Sequence, residues 1–158
     1  MYRWGHLGAA LLAYTPFGAV LTAHGDPTLA TVGFSVAIAV ATLPDTDERL
    51  PIDHRGPTHP VWFLLACSAV AAGIGIAVGS GFGRALAFGS VLGSAVAVSL
   101  ASHLLADSIT PMGIRPFAPL SEWHHSFDLT PAANPRANTT LLSIGSVVAV
   151  LSQAVILL

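Results

Sequence analysis

Residues 85–109 read ALAFGSVLGSAVAVSLASHLLADSI, with no Asp, Glu, Lys or Arg before Asp107. A helix of this length rises roughly 37 Å at 1.5 Å per residue, enough to cross the hydrocarbon core of a bilayer. Ala85, Gly89, Gly93, Ala97 and Ala101 recur every four residues, the stripe of small side chains that lets helix backbones approach closely in lipid. His103 and Asp107 are also four apart and so stand one above the other, about 200° around the helix from Ala101 at 3.6 residues per turn. One face is built for packing, and the other presents an imidazole and a carboxylate at the membrane boundary.

Four more apolar segments flank this one, at about Gly5 to Ala23, Leu29 to Leu43, Val61 to Val78 and Thr140 to Leu158. Together they predict an all-α integral membrane bundle of about five transmembrane helices, a single membrane domain over residues 1–158. Composition agrees: the chain is 53% hydrophobic with 9% charged residues and a mean hydropathy of +0.71, outside the range of soluble domains. Pro16 is expected to kink the first segment. That segment carries no small-residue cleavage site, so a cleaved signal peptide is not expected. Two connections are tight, carrying the turn residues His24-Gly25-Asp26-Pro27 and Gly79-Ser80-Gly81-Phe82-Gly83. The long ones, about Pro44 to Pro60 and Thr110 to Thr139, are where chemistry can be built. A formal charge of −2 and six scattered Arg residues give no nucleic-acid footprint, and the single Cys67 has no disulfide partner in the chain.

Five spans place both long connections at one end of the bundle. His6, Asp45, Asp47, Asp53, His54, His59, His103, Asp107, His124 and His125 then share that end, with only His24 and Asp26 opposite. Ionisable groups at a membrane boundary are costly and mark functional sites, and Asp oxygen with His nitrogen suits zinc or, with more carboxylate, manganese or iron. Arg3, Arg49, Arg55, Arg115 and Arg136 lie at the same end against Arg84 alone, which predicts that it is cytoplasmic. Asp45 and Asp47, read as extended backbone, would point to one side, and the turn between His54 and His59 would fold both rings toward one centre. Asn138-Thr139-Thr140 reads as the N-cap of the fifth span. Of the adjacent His124 and His125, at most one is expected to join the cluster.

Three segments carry a resemblance: PDTD at 44–47, HRGPTH at 54–59 and HLLADSITPMGIRPFAPLS at 103–121. They resemble the YdjM-like family of inner-membrane-bound metal-dependent hydrolases, whose members share a Pro-Asp-x-Asp, a His-Arg-Gly-x-Thr-His and a His-x-x-x-Asp-x-x-Thr segment. His6 and Gly8 are similar to the family's N-terminal histidine and glycine. Glu48 and Pro60 depart from it, standing where relatives commonly have His and Ser.

The expected metal ligands are Asp45, Asp47, His59, His103 and Asp107, with His6 and His54 as further candidates, and the motifs concerned lie within 44–59 and 102–121. Seven candidates exceed the four donors of one zinc, so one or two divalent ions are expected, zinc first and manganese or iron as alternatives. Asp53 or Asp45 would take a proton from water, and Arg55 would clamp an anionic oxygen. The resemblance and the depth of the site imply hydrolysis of a phosphoester or related bond in an amphiphilic, lipid-like substrate at the inner membrane. A structural metal site without catalysis and a metal-transport protein are the alternatives.

Overall fold

A computed structural model describes residues 1–157, and Leu158, the last residue of the expected fifth span, lies outside them. Five α-helices follow one another: α1 (Arg3–Ala23), α2 (Pro27–Val40), α3 (Val61–Ser80), α4 (Ala85–Ser108) and α5 (Pro135–Leu157). A short 3₁₀ helix, Pro44–Arg49, follows α2. No strand forms among the described residues, only a single bridge between Ile114 and His125. The five segments are long and apolar enough to cross a membrane, α2 doing so together with the 3₁₀ helix.

Local signals set the helix ends. Asp26 caps α2, its carboxylate accepting from Leu29 N at 3.1 Å with Pro27 at the first position. At the start of α5 the capping residue is Asn134, whose side-chain oxygen accepts from Arg136 N at 3.1 Å and Ala137 N at 3.3 Å. The expected cap, Asn138, instead lies inside the helix and is buried, with its amide donating to Ala132 O and Asn134 O. The helix starts earlier because Pro135 fits the first turn and Asn134 precedes it. In α1 the helix runs on through Pro16, and the Thr15 hydroxyl bonds back to Leu11 O at 2.7 Å.

Close backbone approach organises the packing. A Cβ on Gly89 would meet Ile76 and the Ala72 carbonyl, and one on Gly93 would meet Ala72, so the small-residue stripe of α4 seats α3. Gly8 of α1 lies against the backbone of Leu141, and Gly145 against Gly8 itself, which fastens α1 to α5. Tyr14, Ala37 and Ala95 meet fully buried where α1, α2 and α4 converge, with Phe34, Val36 and Val98 around them. The Ser99 hydroxyl crosses from α4 to the Ala37 carbonyl at 2.7 Å, a hydrogen bond that in lipid has little competition from water.

The loop after α4 folds back over the same end of the bundle. Phe127 N donates to Ser108 O, Val61 N to Pro116 O, and Ile114 and His125 exchange backbone bonds. The first turn of α1, the 3₁₀ helix, the loop before α3 and the last turns of α4 are thereby gathered beneath one cover.

Candidate metal centre

His103 occupies the last turns of α4, where its Nδ1 faces the Ala41 carbonyl at 2.8 Å just beyond α2. A carbonyl only accepts, so Nδ1 carries the proton and the Nε2 lone pair is aimed inward. His103 Nε2 lies 3.3 Å from Asp45 Oδ1 and 3.6 Å from Asp107 Oδ2. His59 arrives from the loop before α3, its Nε2 at 3.4 Å from Asp107 Oδ2, 3.8 Å from Asp45 Oδ1 and 3.4 Å from His103 Nε2. His6 comes from α1. Its ring stacks on His103 with centroids 3.7 Å apart, and its Nε2 donates to the Met1 carbonyl at 2.8 Å while standing 3.5 Å from Asp107 Oδ1 and 3.7 Å from Asp45 Oδ2, so His6 joins an ion through Nε2 only by giving up that hydrogen bond.

These spacings fit a metal. Ligand atoms about 2.1 Å from a tetrahedral ion lie about 3.4 Å from each other, and the set around His59 and His103 runs from 3.3 to 3.8 Å. His6, Asp45, His103 and Asp107 can each offer one atom within 4.8 Å of all the others, and His59 joins through the contacts above. Asp107 Oδ2 is buried and has no hydrogen-bond partner, a costly arrangement for a carboxylate oxygen unless a cation sits against it. The residues present therefore could hold a divalent ion.

Asp47 takes a different place. In a 3₁₀ helix of three residues per turn, positions two apart diverge, whereas an extended chain would have aligned them. Pro44 starts that helix, and Thr46 N to Leu43 O and Leu50 N to Asp47 O bracket it. Asp45 consequently turns toward the three imidazoles, while Asp47 turns back to the 54–59 loop. It accepts from His54 Nδ1, Arg55 N and the Thr58 hydroxyl, each at 2.9 Å, and its Oδ2 stands 3.4 Å from His59 Nδ1. Thr58, donating to Asp47, accepts from His59 Nδ1 at 3.0 Å, so Asp47 organises the loop and orients the His59 ring through that hydroxyl, and His54 is one layer out beside it. Burial works against a charged His59, but the facing Asp107 and Asp45 carboxylates outweigh it and hold the imidazole above its ordinary pKa.

Arg55 is turned inward. It adopts φ 60°, and its guanidinium donates to Asp107 Oδ1 at 2.8 Å, to the Gly113 carbonyl and to the Thr110 hydroxyl. Asp107 Oδ1 also receives the Met1 amine. Arg55 therefore ties the loop before α3 to the loop after α4 and supplies positive charge on the Asp107 oxygen turned away from His59. Asp53 is exposed and stands, with His54, Arg55 and His124, in the wall of a cavity of ≈590 Å³. His124 Nε2 faces the Met112 carbonyl at 2.8 Å, and His125 packs between Trp123 and Phe127; neither shares a contact with the five inner donors. Sequence reasoning gave no role to Thr58, Thr110 or the Ala41 carbonyl. The first two were readable as hydroxyls inside the motifs, but Ala41 acts through a backbone atom that no side-chain pattern announces.

The description of the family whose model matches this chain is YdjM inner membrane protein, and the match covers residues 1–158. Comparison with curated proteins and with solved structures finds no match.

Proposed function

We propose that this chain, which belongs to the YdjM inner membrane protein family by a match over its whole length, is a membrane-bound metal-dependent hydrolase. Its substrate in this reading is a phosphoester or related bond in a lipid-like molecule, reached from the cytoplasmic side, and its metal is zinc. The carrying observation is the convergence of His6 from α1, His103 and Asp107 from α4, and Asp45 and His59 from the connection between α2 and α3, at one end of a bundle whose spans are otherwise nearly free of ionisable groups. A divalent ion held by such a set supplies Lewis acidity and an activated water.

The chain's own residues then divide the work. His59 and His103 present Nε2, held in that tautomer by the Thr58 hydroxyl, which itself donates to Asp47, and by the Ala41 carbonyl. Arg55 positions Asp107. Asp45, the donor that reaches solvent, is the carboxylate placed to accept a proton from water entering on its side. The far end of the bundle offers only Asp26 paired to Arg84, with His24 nearby, so no ladder of ionisable groups supports metal transport. A structural metal is the second reading, favoured by the near-complete burial of the other four donors.

The test is a metal analysis of the detergent-purified chain followed by a panel of phosphoester and carboxylester substrates. Metal-dependent turnover lost on chelation and restored by the ion supports the hydrolase. Stoichiometric metal with no turnover on any ester, and a melting temperature that collapses on chelation, would leave the structural reading in its place.

A further inference from the structure

Among the five inner donors, Asp45 alone is open to solvent, with 20% of its side chain exposed against 0–1% for His6, His59, His103 and Asp107. It forms part of the wall of a cavity of ≈450 Å³, together with Arg3, Trp4, Thr42, Thr46 and Arg49. This cavity is separate from the larger one beside Arg55, which contains none of the five donors. Anything approaching the cluster from solvent meets Asp45 first, and does so here.

Two cations flank that approach. Arg3 opens α1 and Arg49 closes the 3₁₀ helix, so different elements bring them to one cavity. Arg55, Arg84 and Arg115 each face a carboxylate. The exposed side chains of Arg3 and Arg49 make no ion pair or hydrogen bond among the described residues. Arg3 rests over the Trp4 ring at 5.7 Å, a contact that steadies a guanidinium without occupying its donors. Glu48, also in the wall, is turned toward His54 Nε2 at 3.7 Å. Two guanidiniums with free N–H forks match a phosphate group bidentately, and both stand at the end of the bundle where lipid headgroups lie.

We propose that Arg3 and Arg49 form the phosphate-binding subsite of this protein and seat the substrate's phosphate group against Asp45. The inference rests on the hydrolase reading and assigns its anion contact to this pair, since Arg55 is committed to Asp107, Thr110 and Gly113.

Calorimetric titration of the full chain in zwitterionic micelles tests this, with inorganic phosphate in one arm and dihexanoyl phosphatidic acid in the other. Metal content is measured on the same preparations. Arg3→Gln and Arg49→Gln should each weaken binding about 10-fold or more, and the pair about 100-fold or more, given the strength of charge-assisted hydrogen bonds, with metal content unchanged. Tighter binding of the lipid than of phosphate assigns the subsite to a headgroup, and equal binding assigns it to free phosphate. Arg115→Gln should leave both isotherms as they are. Wild-type affinity in the paired variant with its metal in place overturns the inference, as does an equal loss in Arg115→Gln. Should the paired variant lose its metal, the single variants decide by the same criteria. A wild-type chain that takes up no metal overturns the hydrolase reading itself, and this is seen in the metal analysis independently of the isotherms.

Discussion

Asp47 and Asp107 are both buried carboxylates at the same end of the bundle, yet they differ in what their oxygens face. Every hydrogen bond of the Asp47 carboxylate is to the 54–59 loop, and its Oδ2 stands behind the His59 ring. Asp107 Oδ2 faces two imidazole Nε2 atoms and no hydrogen-bond donor of its own. Asp47→Asn should therefore keep the metal but bind it about 10–100-fold more weakly, the usual effect of losing a partner behind a metal-binding histidine, while Asp107→Asn or His103→Ala should abolish binding. Competition against a chromophoric chelator measures all three, and equal loss in Asp47→Asn would make Asp47 a ligand. Arg55→Lys keeps one charge but cannot reach Asp107 and Gly113 together. Its expected cost is about 1.5–3 kcal/mol of stability, with melting temperature and metal content falling together. The pairing of His103 with Asp107 was legible in the sequence, because four residues on a helix fix a shared face. The divergence of Asp45 from Asp47 was not, because two residues align or diverge according to whether the backbone is extended or 3₁₀, and Pro44 permits either.

Helix packing sets how well those side chains are held. Gly8 lies two residues from His6 and against the backbone of Leu141, which cannot move aside as a flexible side chain would. Gly8→Ala should push α1 from α5, cost about 1–3 kcal/mol and weaken metal binding by displacing His6. Gly73, inside α3, has nothing within 4 Å of a Cβ built on it. There Gly73→Ala should raise stability by up to about 1 kcal/mol through helix propensity alone and leave the metal untouched. Thermal unfolding in detergent with parallel metal analysis checks both, and a destabilised Gly73→Ala would show that α3 has a partner on that face. The α4 stripe was readable as a packing surface from its four-residue repeat, and α3 does pack on it. Its partner's identity was not readable, since every span of this chain carries small residues.

At the scale of the whole molecule, five crossings and two long connections at one end account for the gathering of the cluster. The same count carries the proposed orientation, with Arg3, Arg49, Arg55, Arg115 and Arg136 at the site end and Arg84 opposite. In a Cys67→Ser background, Glu48→Cys should be shielded from a membrane-impermeant thiol reagent in intact cells and Phe82→Cys should be labelled. The reverse pattern would put the site outside. The number of spans and the placing of both long connections at one end were legible because they follow from hydropathy and parity. The cover made by residues 110–134 was not, because its course depends on isolated backbone bonds such as Phe127 N to Ser108 O and Val61 N to Pro116 O.

X-ray absorption at the metal edge of the purified, metal-reconstituted chain tests the central claim most directly. The donor set of His6, His59, His103, Asp45 and Asp107 predicts a first shell of nitrogen and oxygen only, at about 2.0–2.2 Å for zinc, with the outer-shell scattering of at least two imidazoles and loss of the bound ion in His103→Ala. A chain that binds no divalent ion, a sulfur-containing shell, or a spectrum unchanged in His103→Ala would contradict it.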